Sequence, residues 1–182
     1  MNFESMRLFF ALLALAANAG TIGIVVIGFA GRTGPSGHAL RERVFGSFRG
    51  LELWLGFAVA TTSTLGSLYL SEVVHLIPCT YCWYQRIAMY PLVVILGIAA
   101  LRKDDGVRPY AAALASIGAV IAFYHRVVQV FPELNGSACS TGIPCTAAYF
   151  TLFGFVTIPY MALSGFLLIL ALLYVERSNS AA

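Results

Sequence analysis

Thr151–Val175 reads TLFGFVTIPYMALSGFLLILALLYV, twenty-five residues without a single charged side chain. A helix needs about 20 mostly apolar residues to cross the hydrocarbon core of a bilayer. This stretch is long enough to do so. Four more stretches qualify: Leu8–Ala30, Leu53–Ser71, Trp83–Leu101 and Tyr110–Phe131. None alternates in the manner of a barrel strand. Lipid offers the backbone no hydrogen-bond partners, so each span is expected to be a helix. Only 10% of the 182 residues are charged and 59% are hydrophobic, against roughly 25% charged in a soluble domain. That shortage of polar surface excludes a soluble enzyme. A scattered net charge of +3 excludes a nucleic-acid-binding surface. The expected fold is an all-α membrane protein with five spans.

The basic residues orient the spans. Arg32, Arg41, Arg43 and Arg49 follow the first span, Arg102, Lys103 and Arg108 follow the third, and Arg177 follows the fifth. These segments share one side of the membrane, and the other side carries only Arg7. The basic side is expected to be cytoplasmic. The N-terminus and the loops Glu72–Cys82 and Pro132–Phe150 then lie outside. Ala17-Asn18-Ala19 resembles a small-residue cleavage site, but cleavage there would put four arginines at an outside loop. A retained first helix agrees better with the charges. Ala111, Ala115 and Ala119, spaced by four, predict a close helix contact in the fourth span. Pro91 and Pro159 each lie eight residues from the outer start of their spans, where a bend would open a pocket in the outer leaflet.

All four cysteines fall in the two outside loops, a compartment that permits disulfides. Cys79-Thr80-Tyr81-Cys82 is a CxxC just before a span. Cys139 and Cys145 have five residues between them. Both pairs are expected to be oxidised at rest. A CxxC is a poor structural staple, because closing so short a loop removes little chain entropy, and it is a common redox-active spacing. For the second pair, staple and redox roles both stay open. A four-cysteine zinc site is disfavoured by the five-residue gap. Covalent haem would need CxxCH, and Trp83 follows Cys82.

Helix-start chemistry sharpens the first pair. Unpaired amides and the helix dipole at the start of the third span favour a thiolate at Cys82. Arg86, four residues on, adds a fixed positive charge on the same face. Arg86 and Arg126 both sit about one turn below the outer end of a span, with Gln85, His125 and Gln129 at similar depth. Charges inside a membrane are costly and usually functional. The bland alternative is that the arginines reach up to lipid headgroups.

Cys79-Thr80-Tyr81-Cys82-Trp83-Tyr84-Gln85-Arg86, continuing Ile87-Ala88-Met89-Tyr90-Pro91, resembles the signature of DsbB-type disulfide bond formation proteins. Tyr124-His125 with Gln129, the second cysteine pair, and Phe153-Gly154-Phe155-Val156-Thr157-Ile158-Pro159 are similar to that family too, nearest its short-loop branch. The resemblance covers about Leu51 to Val175. It implies a four-helix redox bundle over residues 51–182, preceded by an unexplained helix and basic cytoplasmic loop over residues 1–50. It implies a multi-pass protein of a prokaryotic cytoplasmic membrane and a protein-dithiol:quinone oxidoreductase. Such a protein reoxidises an extracytoplasmic thioredoxin-like (DsbA-type) dithiol oxidase and passes two electrons to a membrane quinone, ubiquinone or menaquinone. Carried over by motif, Cys139 forms the mixed disulfide with the partner and Cys145 attacks Cys79. Cys82, released as thiolate, then faces a quinone bound by Gln85, Arg86, His125 and Arg126. Two rivals remain: a vitamin-K-epoxide-reductase-like enzyme, whose CxxC usually follows the loop cysteines, and a non-enzymatic membrane subunit with stapled loops.

Overall fold

The computed structural model describes residues 3–48, 50–135, 139 and 144–180. Arg49, Gly136 and Ser137 lie outside the described residues. Among the described residues there are six α-helices: α1 (Phe3–Ala30), α2 (Pro35–Ser47), α3 (Glu52–Leu68), α4 (Thr80–Arg102), α5 (Arg108–Val130) and α6 (Ile158–Ser180). All but α2 are long and apolar enough to cross a membrane, α3 counted with the π-helical turn Tyr69–Val73 that extends it. The expected all-α membrane fold is observed.

Helices α3, α4, α5 and α6 form a closed ring in which each packs on the next, and α1 lies outside the ring along α6. Leu92, Leu96, Phe166 and Ile169 are fully buried at the centre of the ring. Tight packing between α5 and α6 follows from the small residues of α5. Ala111 and Ala115 are completely buried and Ala119 nearly so. At Gly118 the Phe166 ring lies so close that a Cβ would stand 2.3 Å from it. Small side chains let helix backbones approach where lipid supplies no hydrophobic drive for association.

Helix α1 runs unbroken through Ala17-Asn18-Ala19. Asn18 donates from Nδ2 to Tyr160 Oη (2.8 Å) and Ser164 Oγ (3.0 Å) on α6. Interhelical hydrogen bonds of this kind hold membrane helices together.

Three expectations need correction. The segment between the first two spans is not simply a loop, since Pro35–Ser47 is helical. Pro35 at its first turn accounts for the start, because the missing N–H is no loss there and its fixed φ suits the helix. The last span does not begin at Thr151. Helix α6 starts at Ile158, and Leu152 and Val156 instead form an isolated β-bridge around a tight turn. That turn holds Phe153 at φ 51° and Gly154 at φ 80°. A glycine tolerates that region without steric cost, and an L-residue there cannot continue a right-handed helix. Pro159 is therefore the second residue of α6 and starts the helix, whereas Pro91 lies inside α4. The matched pair of bends is not observed.

Candidate active site

Both cysteine loops lie at the same end of the ring, opposite the ends that carry Arg32, Arg102 and Arg108. Cys79 is the N-cap of α4, in extended conformation, and its carbonyl accepts the Trp83 N–H that opens the helix (3.1 Å). One turn of helix then returns Cys82 to it, and the two sulfurs stand 3.0 Å apart, unbonded. Cys139 and Cys145 form a disulfide with 5.9 Å between their Cα atoms. The expectation of two closed pairs is therefore met at the second pair only. Cys79, Tyr81, Cys139 and Cys145 make one buried cluster with Cys82 at its edge.

His125 of α5 joins the two pairs. It is buried, with the Tyr81 ring against it at 5.5 Å. Gln85 Nε2 lies 3.0 Å from Nδ1, while Nε2 lies 3.7 Å from Cys79 Sγ and 3.2 Å from the Cys145 carbonyl oxygen. If the Gln85 amide donates to Nδ1, the proton sits on Nε2 and points between the two cysteines. Tyr149 Oη, donating to the Ile77 carbonyl (2.5 Å), ties the second loop to the first. The ligand atoms of Cys79, Cys82 and His125 lie within 4.8 Å of one another, close enough to share a thiophilic cation when both cysteines are reduced.

The sequence assigns the stabilised thiolate to Cys82. In the structure His125 faces Cys79, so its help goes to that sulfur. The hydrogen bond Cys79 shares with Cys82, opposed by burial and helped by the hydrogen bond with His125, lowers its thiol pKa from 9.0 to about 4.

Cys82 faces elsewhere. It borders a cavity of about 400 Å³ enclosed by α1, α3, α4 and α6. Gln85, Arg86, Ser67 and Tyr90 share its polar end, and nearly all the rest is apolar. Arg86 does not reach up toward a headgroup. Its Nε donates to Ser67 Oγ and an Nη to the Ser67 carbonyl, both at 3.0 Å, and its guanidinium lies 5.3 Å from the Trp83 ring centre. Tyr90 Oη donates to the same Ser67 Oγ (3.2 Å). Of the four residues expected around a quinone, Gln85 and Arg86 line this cavity. His125 lines instead a small crevice beside Cys79, and half-buried Arg126 lines neither. Ser67, Tyr81 and Tyr149 escaped the sequence reading. Serines and tyrosines in apolar helices and loops are too common to stand out without their partners.

Residues 51–175 match the family described as Disulfide bond formation protein DsbB. The chain belongs to the DsbB family. It is a transmembrane oxidoreductase of disulfide bond formation. Over 119 residues it is 48% identical to Disulfide bond formation protein C of Bacillus subtilis (strain 168), covering 65% of this chain and 86% of that one. Over 123 residues it is 47% identical to Probable disulfide formation protein C 2 of Bacillus anthracis, covering 68% of this chain and 88% of that one. No solved structure matches the chain. The DsbB match begins at Leu51, so α1 and α2 lie outside it.

Proposed function

We propose that this protein reoxidises an extracytoplasmic thioredoxin-like dithiol oxidase of the DsbA type and delivers the two electrons to a membrane quinone, ubiquinone or menaquinone. The observation that carries the reading is the two-sided CxxC. Cys79 meets His125 and the second cysteine pair, while Cys82 opens with Arg86 onto an apolar cavity.

The steps balance as thiol–disulfide exchange. A partner thiolate attacks Cys139 and breaks the Cys139–Cys145 bond, leaving a mixed disulfide and a Cys145 thiolate. The partner's second thiolate displaces Cys139, so the partner leaves oxidised and the loop pair is a dithiol. The Cys145 thiolate attacks Cys79 of a closed CxxC and releases Cys82 as thiolate. Cys139 then attacks Cys145, restoring the loop disulfide and freeing Cys79. Both electrons now reside on Cys79 and Cys82, the state with one closed and one open pair. His125, between Cys79 and Cys145, carries the proton exchanged between the two sulfurs, and Gln85 holds its ring.

The cavity suits a quinone in size, within the range of about 300–1,000 Å³ usual for ligand sites, and in having one polar end. Gln85, Arg86 and Ser67 would hold the ring there. The bound quinone would supply a two-electron, two-proton sink. Such a sink is required, because a DsbA-like oxidant near −120 mV lies about 7 kcal/mol above thioredoxin near −270 mV. Arg126 has no part in this reading.

The charge distribution supports cysteine loops outside and the basic ends in the cytoplasm, in a prokaryotic cytoplasmic membrane. Residues 1–50 then form an appendage to a redox bundle of residues 51–182. Full-length protein in quinone-loaded vesicles tests the reading. It should oxidise a reduced DsbA-type partner only when quinone is present, and lose that activity when any of the four cysteines becomes Ser. Oxidation that proceeds equally without quinone would overturn it. A membrane-impermeant thiol reagent should reach the cysteines of intact cells only after reductant, and labelling confined to the cytoplasmic face would overturn the orientation.

A further inference from the structure

The extra helix α1 is not absorbed by the relay, and its placement points to a use. Phe10, Leu13, Ala14 and Ala17 all line the cavity that Cys82 and Arg86 border. Their spacing of i, i+3, i+4 and i+7 puts them on one helix face. Helix α1 packs at length along α6, and α3 packs along another side of α6, but α1 and α3 have no such extended contact with each other. The interval between them is the cavity. Its outer part is bridged by Phe10, whose ring lies against Gly66 of α3 so closely that a Cβ there would stand 2.8 Å from it. Asn18, bonded to Tyr160 and Ser164, fixes α1 at this distance.

The cavity is also long. On α6 its lining runs from Ile158 to Leu168, about 15 Å of helix. The groups suited to a quinone ring sit at one end, on α4 and the outer part of α3. The shaft beyond them is mostly apolar, between the α1 face and residues such as Val59 and Ala162, with Thr62 and Ser63 of α3 also lining it. A bare ring would occupy only the polar end.

We propose that α1 is the lipid-side wall of a channel for the isoprenoid tail, converting an open groove between α3 and α6 into a slot that favours quinones with a polyprenyl tail over tail-less ones. This rests on the quinone reading above and extends it to a specificity determinant outside the DsbB core.

The test compares menadione, which has no tail, with menaquinone. Dissociation constants come from the quinone retained by immobilised full-length protein in detergent over a series of ligand concentrations, extracted and quantified by absorbance. Quinone that copurifies from membranes is extracted and quantified alongside. Ala17→Trp fills the slot and Leu13→Ala strips one wall contact. Ala17→Trp should lower the preference for menaquinone over menadione by about tenfold or more, and Leu13→Ala by roughly threefold to tenfold, as expected for one lost apolar side chain at a partly exposed site. Copurified quinone should fall in step. If Ala17→Trp fails to fold, Leu13→Ala decides alone. Unchanged preference in the folded variants, or equal weakening of both ligands, would overturn the channel wall while leaving the quinone reading intact. Wild-type protein that binds neither ligand would overturn both.

Discussion

Cys79 Sγ and His125 Nε2 stand 3.7 Å apart where the start of α4 meets α5. The same nitrogen is 3.2 Å from the Cys145 carbonyl. One imidazole therefore touches the Cys79 sulfur and the backbone of Cys145, the two residues joined in the proposed transfer between the loops. His125→Ala should slow transfer between the loops on the order of a hundredfold, the usual scale for a lost proton carrier. Rapid-quench trapping of the Cys79–Cys145 disulfide would measure it. A rate unchanged from wild type would reduce His125 to packing against Tyr81.

The lowered Cys79 thiol has a pH signature. Between about 4 and its ordinary 9.0 the folded, reduced protein binds fewer protons at Cys79 than the unfolded chain does. Stability of the reduced form should therefore rise with pH through that window and be lost as pH falls through about 4. Thiolate absorbance of the reduced protein should persist in mildly acidic buffer. In His125→Ala the loss should begin at higher pH, because the hydrogen bond from Nε2 to the sulfur is gone. A titration midpoint near the ordinary thiol value in wild type would contradict the geometry.

Arg86 is held by two bonds to Ser67 beside Cys82. Arg86→Ala removes that charge from the polar end of the cavity, so quinone affinity should weaken by about tenfold, as for a lost charge-assisted hydrogen bond. Exchange with the partner at Cys139 should change little. Arg86→Lys should be milder but not neutral, since an ammonium lacks the planar fork that reaches both Ser67 oxygens. Steady-state kinetics with varied quinone would show this, and an unaltered quinone dependence in Arg86→Ala would return the residue to a lipid-facing role.

In Cys145→Ser with a closed CxxC, the Cys139 thiolate can attack Cys79 and release Cys82, and a thioredoxin-like partner whose own resolving cysteine is absent can then attack Cys139 and release Cys79, so Cys139 should be trapped in a mixed disulfide with the partner while the CxxC is left as the dithiol. Peptide mapping identifies the link. A partner joined to Cys79 or Cys82 would mean the pairs have exchanged roles, and no adduct under any single-cysteine replacement would make the second pair a staple.

Gly118→Ala tests the ring itself. The Phe166 ring leaves no space for the new methyl, and overpacking of a tight core costs about 1–3 kcal/mol. Thermal unfolding in detergent should fall accordingly, while the same change at Gly23 of α1, which has open space around it, should have little effect.

The number of spans, their helical state and the sites of the four cysteines were legible in the sequence, because each rests on local chemistry. Twenty apolar residues must cross lipid as helix, and a CxxC ahead of one is recognisable from its neighbours alone. Helix ends were less legible. Thr151–Thr157 is as apolar as α6 itself, and only the left-handed Phe153 and Gly154 separate the two. Gln85, Arg86 and His125 were visible as polar residues at matched depth, but depth does not say what a side chain faces. Only the packing of α3, α4, α5 and α6 decided that His125 meets Cys79 and Cys145 while Arg86 turns to Ser67 and the cavity. Neighbours in the chain, His125 and Arg126 point to different surroundings because successive residues on a helix are 100° apart. The role of α1 was hidden for the same reason: its apolar face looks alike whether it meets lipid or a slot, and the distance at which Asn18 holds it from α3 is a property of the assembled helices.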